Sequence, residues 1–221
     1  MSGRTTQWIS LGLCLAALVL SAVLYTQLPE QVPTHFNMAG EPDRWSDRGP
    51  AVLMMPGMML VMWLLLWGLP KVSPRGWRVE PFADVWNRCQ LAVLTFMLFV
   101  HVSVLGHGAG WWGPDMGNMV IIAVGLLLAT LGNYLGKTTR NFFLGIRTPW
   151  TLASDEVWRR THRLGGWVMV AAGIALVIMG LVGVNEVVFG VVIAAAALVP
   201  VIYSFFAYRA IEGFKAPEEE P

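Results

Sequence analysis

The sequence predicts an all-α integral membrane protein: a six-transmembrane-helix bundle, both termini cytoplasmic, with a short amphipathic cytoplasmic helix before the fifth span. Three observations predict it. The 221 residues are 56% hydrophobic, with a mean hydropathy of +0.58. Only 13% are charged, against roughly 25% in a soluble domain. Six apolar runs approach the about 20 residues needed to cross a bilayer's hydrocarbon layer. They are Trp8–Tyr25, Ala51–Leu69, Cys89–Leu105, Asn118–Leu135, Leu164–Val184 and Val187–Ala207.

The first run follows Arg4 and could pass for a signal peptide. Leu20-Ser21-Ala22 places a leucine where cleavage needs a small residue, so it reads as a retained helix. Most of the eleven tryptophans fall near run ends, as in interfacial aromatic belts. Cys14 and Cys89 sit in or beside apolar runs and read as small core residues. A net charge of +1 argues against bulk-charge binding of nucleic acid, and no direct nucleic-acid contact is expected.

Lysine and arginine placement sets the orientation. With both ends inside, thirteen basic residues are cytoplasmic, and only Arg44 and Arg48 lie outside. The runs then form three hairpins in a single polytopic domain over residues 1–221. Residues 26–50 make an outer loop between spans one and two. Residues 136–163 make a cytoplasmic loop between spans four and five, and residues 212–221 make a disordered acidic tail. Pro56 and Pro200 predict kinks. Gly173 and Gly180, and the Gly190–Ala194 pair, read as ordinary bundle packing rather than a dimer interface.

Span centres carry almost no strong acids or bases, which disfavours an ion pump. His101, in the outer half of span three, reads as a hydrogen-bonding partner for a neighbouring helix, ahead of a proton relay. His107 lies about 240° around the helix from it, so the two make no helical metal pair. His-Glu-x-x-His, Gly-x-Ser-x-Gly, phosphate-loop and Cys-x-x-Cys motifs are absent, so an enzyme is not expected, nor a cofactor. His35, Asp43, His107 and Asp115 could meet at a metal, but they come from separate loops; polar residues satisfying turns is the favoured reading, and no metal site is assigned.

Two stretches hold more information. "LPEQVPTHFNMAGEPDRW", Leu28–Trp45, has turn formers around His35 and Phe36. It reads equally as a folded connection and as a preformed lid for an external ligand. "RNFFLGIRTPWTLASDEVWRRTHRLGGW", Arg140–Trp167, mixes aromatics with arginines and reads as a loop packed back on the bundle or bilayer surface. Thr148-Pro149 is expected to block a helix. Ser154 is expected to cap a new one, with Asp155 and Glu156 in its first turn. Val157, Trp158, Thr161 and Leu164 would form its inner stripe, with Arg159, Arg160 and Arg163 on the other sides. The surface is either anchored on lipid phosphates or a docking site for a cytoplasmic protein, and His162 reads as structural. Arg147 is expected to pair with Asp155, Glu156 or helix-terminal carbonyls.

The segment Gly132–Trp167 resembles the signature of the SdpI-type bacterial immunity proteins, and Leu28–Trp45 resembles the N-terminal domain of unknown function found with it. The order of the motifs and the six-span layout also fit. The resemblance implies a multi-pass protein of the bacterial plasma (inner) membrane that protects its producer from a secreted, membrane-active toxin peptide. It further implies a receptor that holds a cytoplasmic transcriptional repressor at the membrane. Carried onto this chain, the toxin side is His35, Asn37, Gly40 and Asp43. The repressor side is Asn141, Gly145, Arg147, Pro149, Trp150, Trp158 and His162. A small transporter or channel, or a membrane enzyme with a loop metal site, are the alternatives.

Overall fold

The computed structural model describes residues 2–37, 41–74, 76–111 and 116–214. In chain order the elements are α1 (Gly3–Leu24), β1 (Gln31–Phe36), β2 (Pro42–Asp47), α2 (Arg48–Gly68), α3 (Ala83–Gly108), α4 (Met116–Leu135), α5 (Pro149–Ala153), α6 (Asp155–Val182) and α7 (Glu186–Ile211). All but α5 among the helices are long and apolar enough to cross a membrane. The six-span helical bundle is therefore borne out. α1, α6 and α7 begin ahead of their apolar runs, where polar side chains cap them: Ser2 accepts from Thr5 N–H, Ser154 from Val157 N–H and Asn185 from Val188 N–H. Large apolar side chains such as Leu15, Val61, Ile178 and Val191 point outward, as a bilayer solvent requires.

The closest packing joins α4 to α6. Glycines recur every seven residues on both helices, at 125 and 132 and at 166, 173 and 180. A seven-residue repeat keeps one seam in register along a left-handed pair. A β-carbon on Gly132 would lie 2.8 Å from the Gly166 carbonyl oxygen, one on Gly125 2.6 Å from that of Gly173, and one on Gly180 2.9 Å from that of Asn118. The backbones touch directly, which is how helices associate strongly where water supplies no hydrophobic drive. The packing role expected for Gly173 and Gly180 holds. Gly190 departs from it: nothing surrounds it within 4 Å, and it faces out of the bundle.

The other half is α1, α2 and α3. The buried face of α1 is Thr6, Ser10, Cys14, Ala17, Ser21 and Leu24. Cys14 and Ala17 join Met59, Leu94 and Met97 in an apolar block midway along the three helices.

Two loops fold differently from the sequence reading. Gln31–Phe36 and Pro42–Asp47 pair as the antiparallel strands of a hairpin, not merely as a chain of turns. Every strand of a two-stranded ribbon has a free edge, so Pro33 and Pro42 are tolerated there. Near Thr148-Pro149 a helix is opened rather than blocked. Thr148 accepts from Thr151 N–H as the cap, and Pro149 takes the first helical position, where its missing N–H costs nothing. α2 and α7 run through Pro56 and Pro200 as continuous helices. Asp115 and Glu218, Glu219 and Glu220 of the C-terminal tail lie outside the described residues.

Candidate functional site

At one end of the bundle, the β-hairpin is seated on the spans. Val32 and Leu28 pack with Leu24, Ala51, Val52 and Leu105, contributed by α1, α2 and α3. Phe36 meets His107 edge-to-face at 5.3 Å. Arg48 fixes the base: its backbone N–H donates to Glu30 O, its Nε donates to Pro29 O, and its guanidinium lies over Tyr25. The ladder carries two irregularities, between Pro33 and His35 and between His35 and Phe36, opposite Arg44 and Pro42. They leave Thr34 and Asp43 as extra residues, and bulges of this kind re-aim side chains. His35 Nδ1 and Asp43 Oδ1 come to 2.6 Å on the outward face, both well exposed.

Of the residues assigned to this side, His35 and Asp43 are thus brought together. Asn37 serves the turn instead: its N–H donates to Glu41 O, and its Oδ1 accepts from Glu41 N–H. Gly40 lies outside the described residues. His107 packs under the strand through Phe36, while His35 faces out, so these two do not converge. Among the described residues no cluster of three or more His, Cys, Asp or Glu side chains could hold a metal. Trp45, more than half exposed, stands on the hairpin with His35's partner Arg44. An exposed tryptophan after a turn was the available signal, and it was missed.

At the opposite end, the 136–154 segment is a closed knot. Asn141 is fully buried and uses its whole amide. Nδ2 donates to Thr139 O and Leu144 O, and Oδ1 accepts from Phe143 and Leu144 N–H. Gly145 has φ +125°, and a β-carbon on it would overlap the His162 ring. The next N–H, that of Ile146, donates to His162 Nε2 at 2.8 Å. His162 Nδ1 donates to Trp158 O at 2.8 Å, so the ring is neutral with its proton on Nδ1. Trp158 stacks on His162 at 3.8 Å and donates from Nε1 to Thr138 O. Asn141, Gly145, Trp158 and His162 are therefore one unit in which loop, end of α4 and start of α6 are cross-tied.

The other residues assigned here are peripheral. Trp150 packs edge-to-face on Phe205 of α7, and Pro149 is exposed. Arg147 is exposed and donates to the Phe142 carbonyl, not to Asp155 or Glu156. Those acids are taken by nearer arginines: Asp155 pairs with Arg140, and Glu156 with Arg159 and Arg160. Arg140 went unassigned, yet it also donates to Leu152 O and lies over Trp77 from the loop between α2 and α3. The inner stripe of α6 is as expected: Val157, Trp158 and Thr161 are buried, and Arg159, Arg160 and Arg163 are exposed.

Within the spans two polar clusters are separated. Near the loop end, Gln90 donates to Ser10 Oγ and Gln7 Oε1, and Trp63 donates to Gln7. Near the hairpin, Pro56 lacks the N–H that would serve the Val52 carbonyl one turn back. Ser21 Oγ donates to that carbonyl at 2.7 Å, and His101 Nε2 lies 2.9 Å from Ser21 Oγ and 3.2 Å from Ala17 O. His101 thus holds neighbouring helices together, as its sequence position suggested. The Cys14–Ala17–Met59–Leu94–Met97 block lies between the clusters.

These two ends coincide with two known sequence families. Residues 137–204 match the SdpI/YfhL protein family, and residues 12–60 match a domain of unknown function, DUF1648. Immunity protein SdpI of Bacillus subtilis (strain 168) is 23% identical over 207 residues, 93% of this chain and 97% of its own. The chain thus resembles the SdpI family in its knot and last two spans, and an SdpI immunity protein along nearly its whole length. The DUF1648 match spans the second part of α1, the hairpin and the first part of α2, and the SdpI match spans the knot, α6 and most of α7. The uncharacterized membrane protein YbgB of the same organism is 38% identical over 50 residues, 23% of this chain and 55% of its own. No solved structure matches. The chain is a multi-pass bacterial membrane protein.

Proposed function

We propose that this protein is an SdpI-type immunity protein of the plasma membrane, non-enzymatic, that recognises a secreted membrane-active toxin peptide at the hairpin. Its 221 residues act as a single polytopic domain. The hairpin faces outward and the basic end faces the cytoplasm, in keeping with the lysine and arginine distribution. The observation that carries the reading is the ordered hairpin, with its exposed His35–Asp43 pair, in a chain that aligns almost end to end with an immunity protein. Trp45 and Arg44 beside that pair are residue types that anchor peptide interfaces.

The buried Asn141–Gly145–Trp158–His162 unit shapes the opposite surface. Arg147, Pro149 and the half-buried Trp150 are what a cytoplasmic repressor would meet. The transporter alternative is weaker, because an apolar block interrupts the polar residues along the spans.

The test is survival of sensitive cells challenged with secreted membrane-active peptides while expressing wild type, His35→Ala or Arg147→Ala, with membrane levels matched. Protection by wild type and Arg147→Ala, lost in His35→Ala, is the expected result. No protection by well-expressed wild type across the peptides would overturn the immunity reading.

A further inference from the structure

Between α4 and α6, at the end bearing the knot, the glycine seam opens into a cleft of about 330 Å³. Its floor is backbone, from Gly132, Gly136 and Gly166. Its lip carries Asn133, Lys137, Arg163 and Trp167, all exposed. Among the described residues, neither Lys137 nor Arg163 has a carboxylate partner, since Asp155 and Glu156 are held by Arg140, Arg159 and Arg160. Lys137 instead rests its ammonium over the Tyr134 ring. The mouth therefore holds two uncompensated cations and an amide above a floor of glycine backbone edged by Val170.

Depth identifies the anion. Trp167 is 70% exposed, and a tryptophan so placed on a spanning helix belongs at the headgroup level. Away from that end, the same two helices turn outward mainly apolar groups, Leu126 on α4 and Ile174 and Ile178 on α6, and the exposed Thr130 returns its hydroxyl to Leu126 O. A soluble phosphate would use the cations and leave that surface unused. A phospholipid uses both, and basic pockets between spanning helices are suited to lipid headgroups.

We infer that this cleft binds an anionic phospholipid, its phosphodiester between Lys137 and Arg163, its headgroup over the glycine floor and its acyl chains along α4 and α6. The site is independent of toxin recognition.

The test uses the full-length protein in nanodiscs of equal phosphatidylglycerol and phosphatidylcholine, with retained lipid read by native mass spectrometry. Wild type and Arg209→Gln, which removes one cation from α7, should retain phosphatidylglycerol preferentially. A basic side chain near an anionic lipid surface contributes about a fivefold factor, so Lys137→Gln/Arg163→Gln should lose about thirtyfold. Photoactivatable phosphatidylglycerol on wild type should cross-link within residues 132–137 and 163–170, and this arm needs no variant. Equal retention of the two lipids, equal loss in Arg209→Gln, or cross-links spread evenly over the chain would overturn the assignment.

Discussion

Replacing Gly145 by alanine tests the knot at its tightest point. The residue stands at φ +125°, where a side chain is strained by about 1–3 kcal/mol. The added methyl would overlap the His162 ring, and moving the ring aside breaks the bond from Ile146 N–H. An unpaired buried N–H costs about 1–3 kcal/mol, and overpacking costs a similar amount. These terms share one displacement, so about 3–5 kcal/mol is expected in total. His162→Ala opens the space and already forfeits the bond. In that background Gly145→Ala should cost only its backbone strain. The pair should therefore be less harmful than the sum by about 1–3 kcal/mol. The assay is SDS titration in mixed micelles followed by circular dichroism, with limited proteolysis of residues 136–154 reporting on the knot itself. Additivity within about 0.5 kcal/mol would refute the steric coupling.

Three further outcomes are expected. Ser21→Ala should destabilise by about 1–2 kcal/mol by leaving the Val52 carbonyl unpaired; adding Pro56→Ala, which restores the helical donor, should recover part of that loss in the same titration. Gly173→Val should separate α4 from α6 and lower the thermal midpoint by many degrees, whereas Gly190→Ala, with open space around it, should be neutral or slightly stabilising. Asn141→Leu, similar in volume, should leave two backbone N–H groups and two carbonyls of the knot without their partners and expose residues 136–154 to protease, while the spans stay helical.

The spans were legible because a bilayer admits few solutions: long apolar runs must be helices, and Ser154 with Asp155 and Glu156 marks a helix start by local chemistry alone. The hairpin was not legible. Its strands alternate weakly, contain Pro33 and Pro42, and are held by Val32 and Leu28 seated on residues of three spans. That support is tertiary. Arg147 was misassigned for a related reason. Charge and proximity along the chain offered Asp155 and Glu156, but Arg140, Arg159 and Arg160 reach them first. Asn141 and Gly145 were picked out by resemblance, and the physical cause of their identity emerged only with the buried amide and the His162 ring.

The direct backbone contact of α4 with α6 also permits an order of assembly. The two helices are consecutive spans, and the segment joining them carries its own caps and turn bonds. They can zip together in the bilayer as soon as α6 is inserted, before α7 has left the ribosome. Helix α7 then docks along α6, through Phe189, Val192 and Ile193 against Leu176 and Met179, and onto the closed loop through Thr148–Ser204 and Trp150–Phe205. A translation pause that left α7 unmade would strand a finished hairpin of two spans, with its loop folded and only its last neighbour missing.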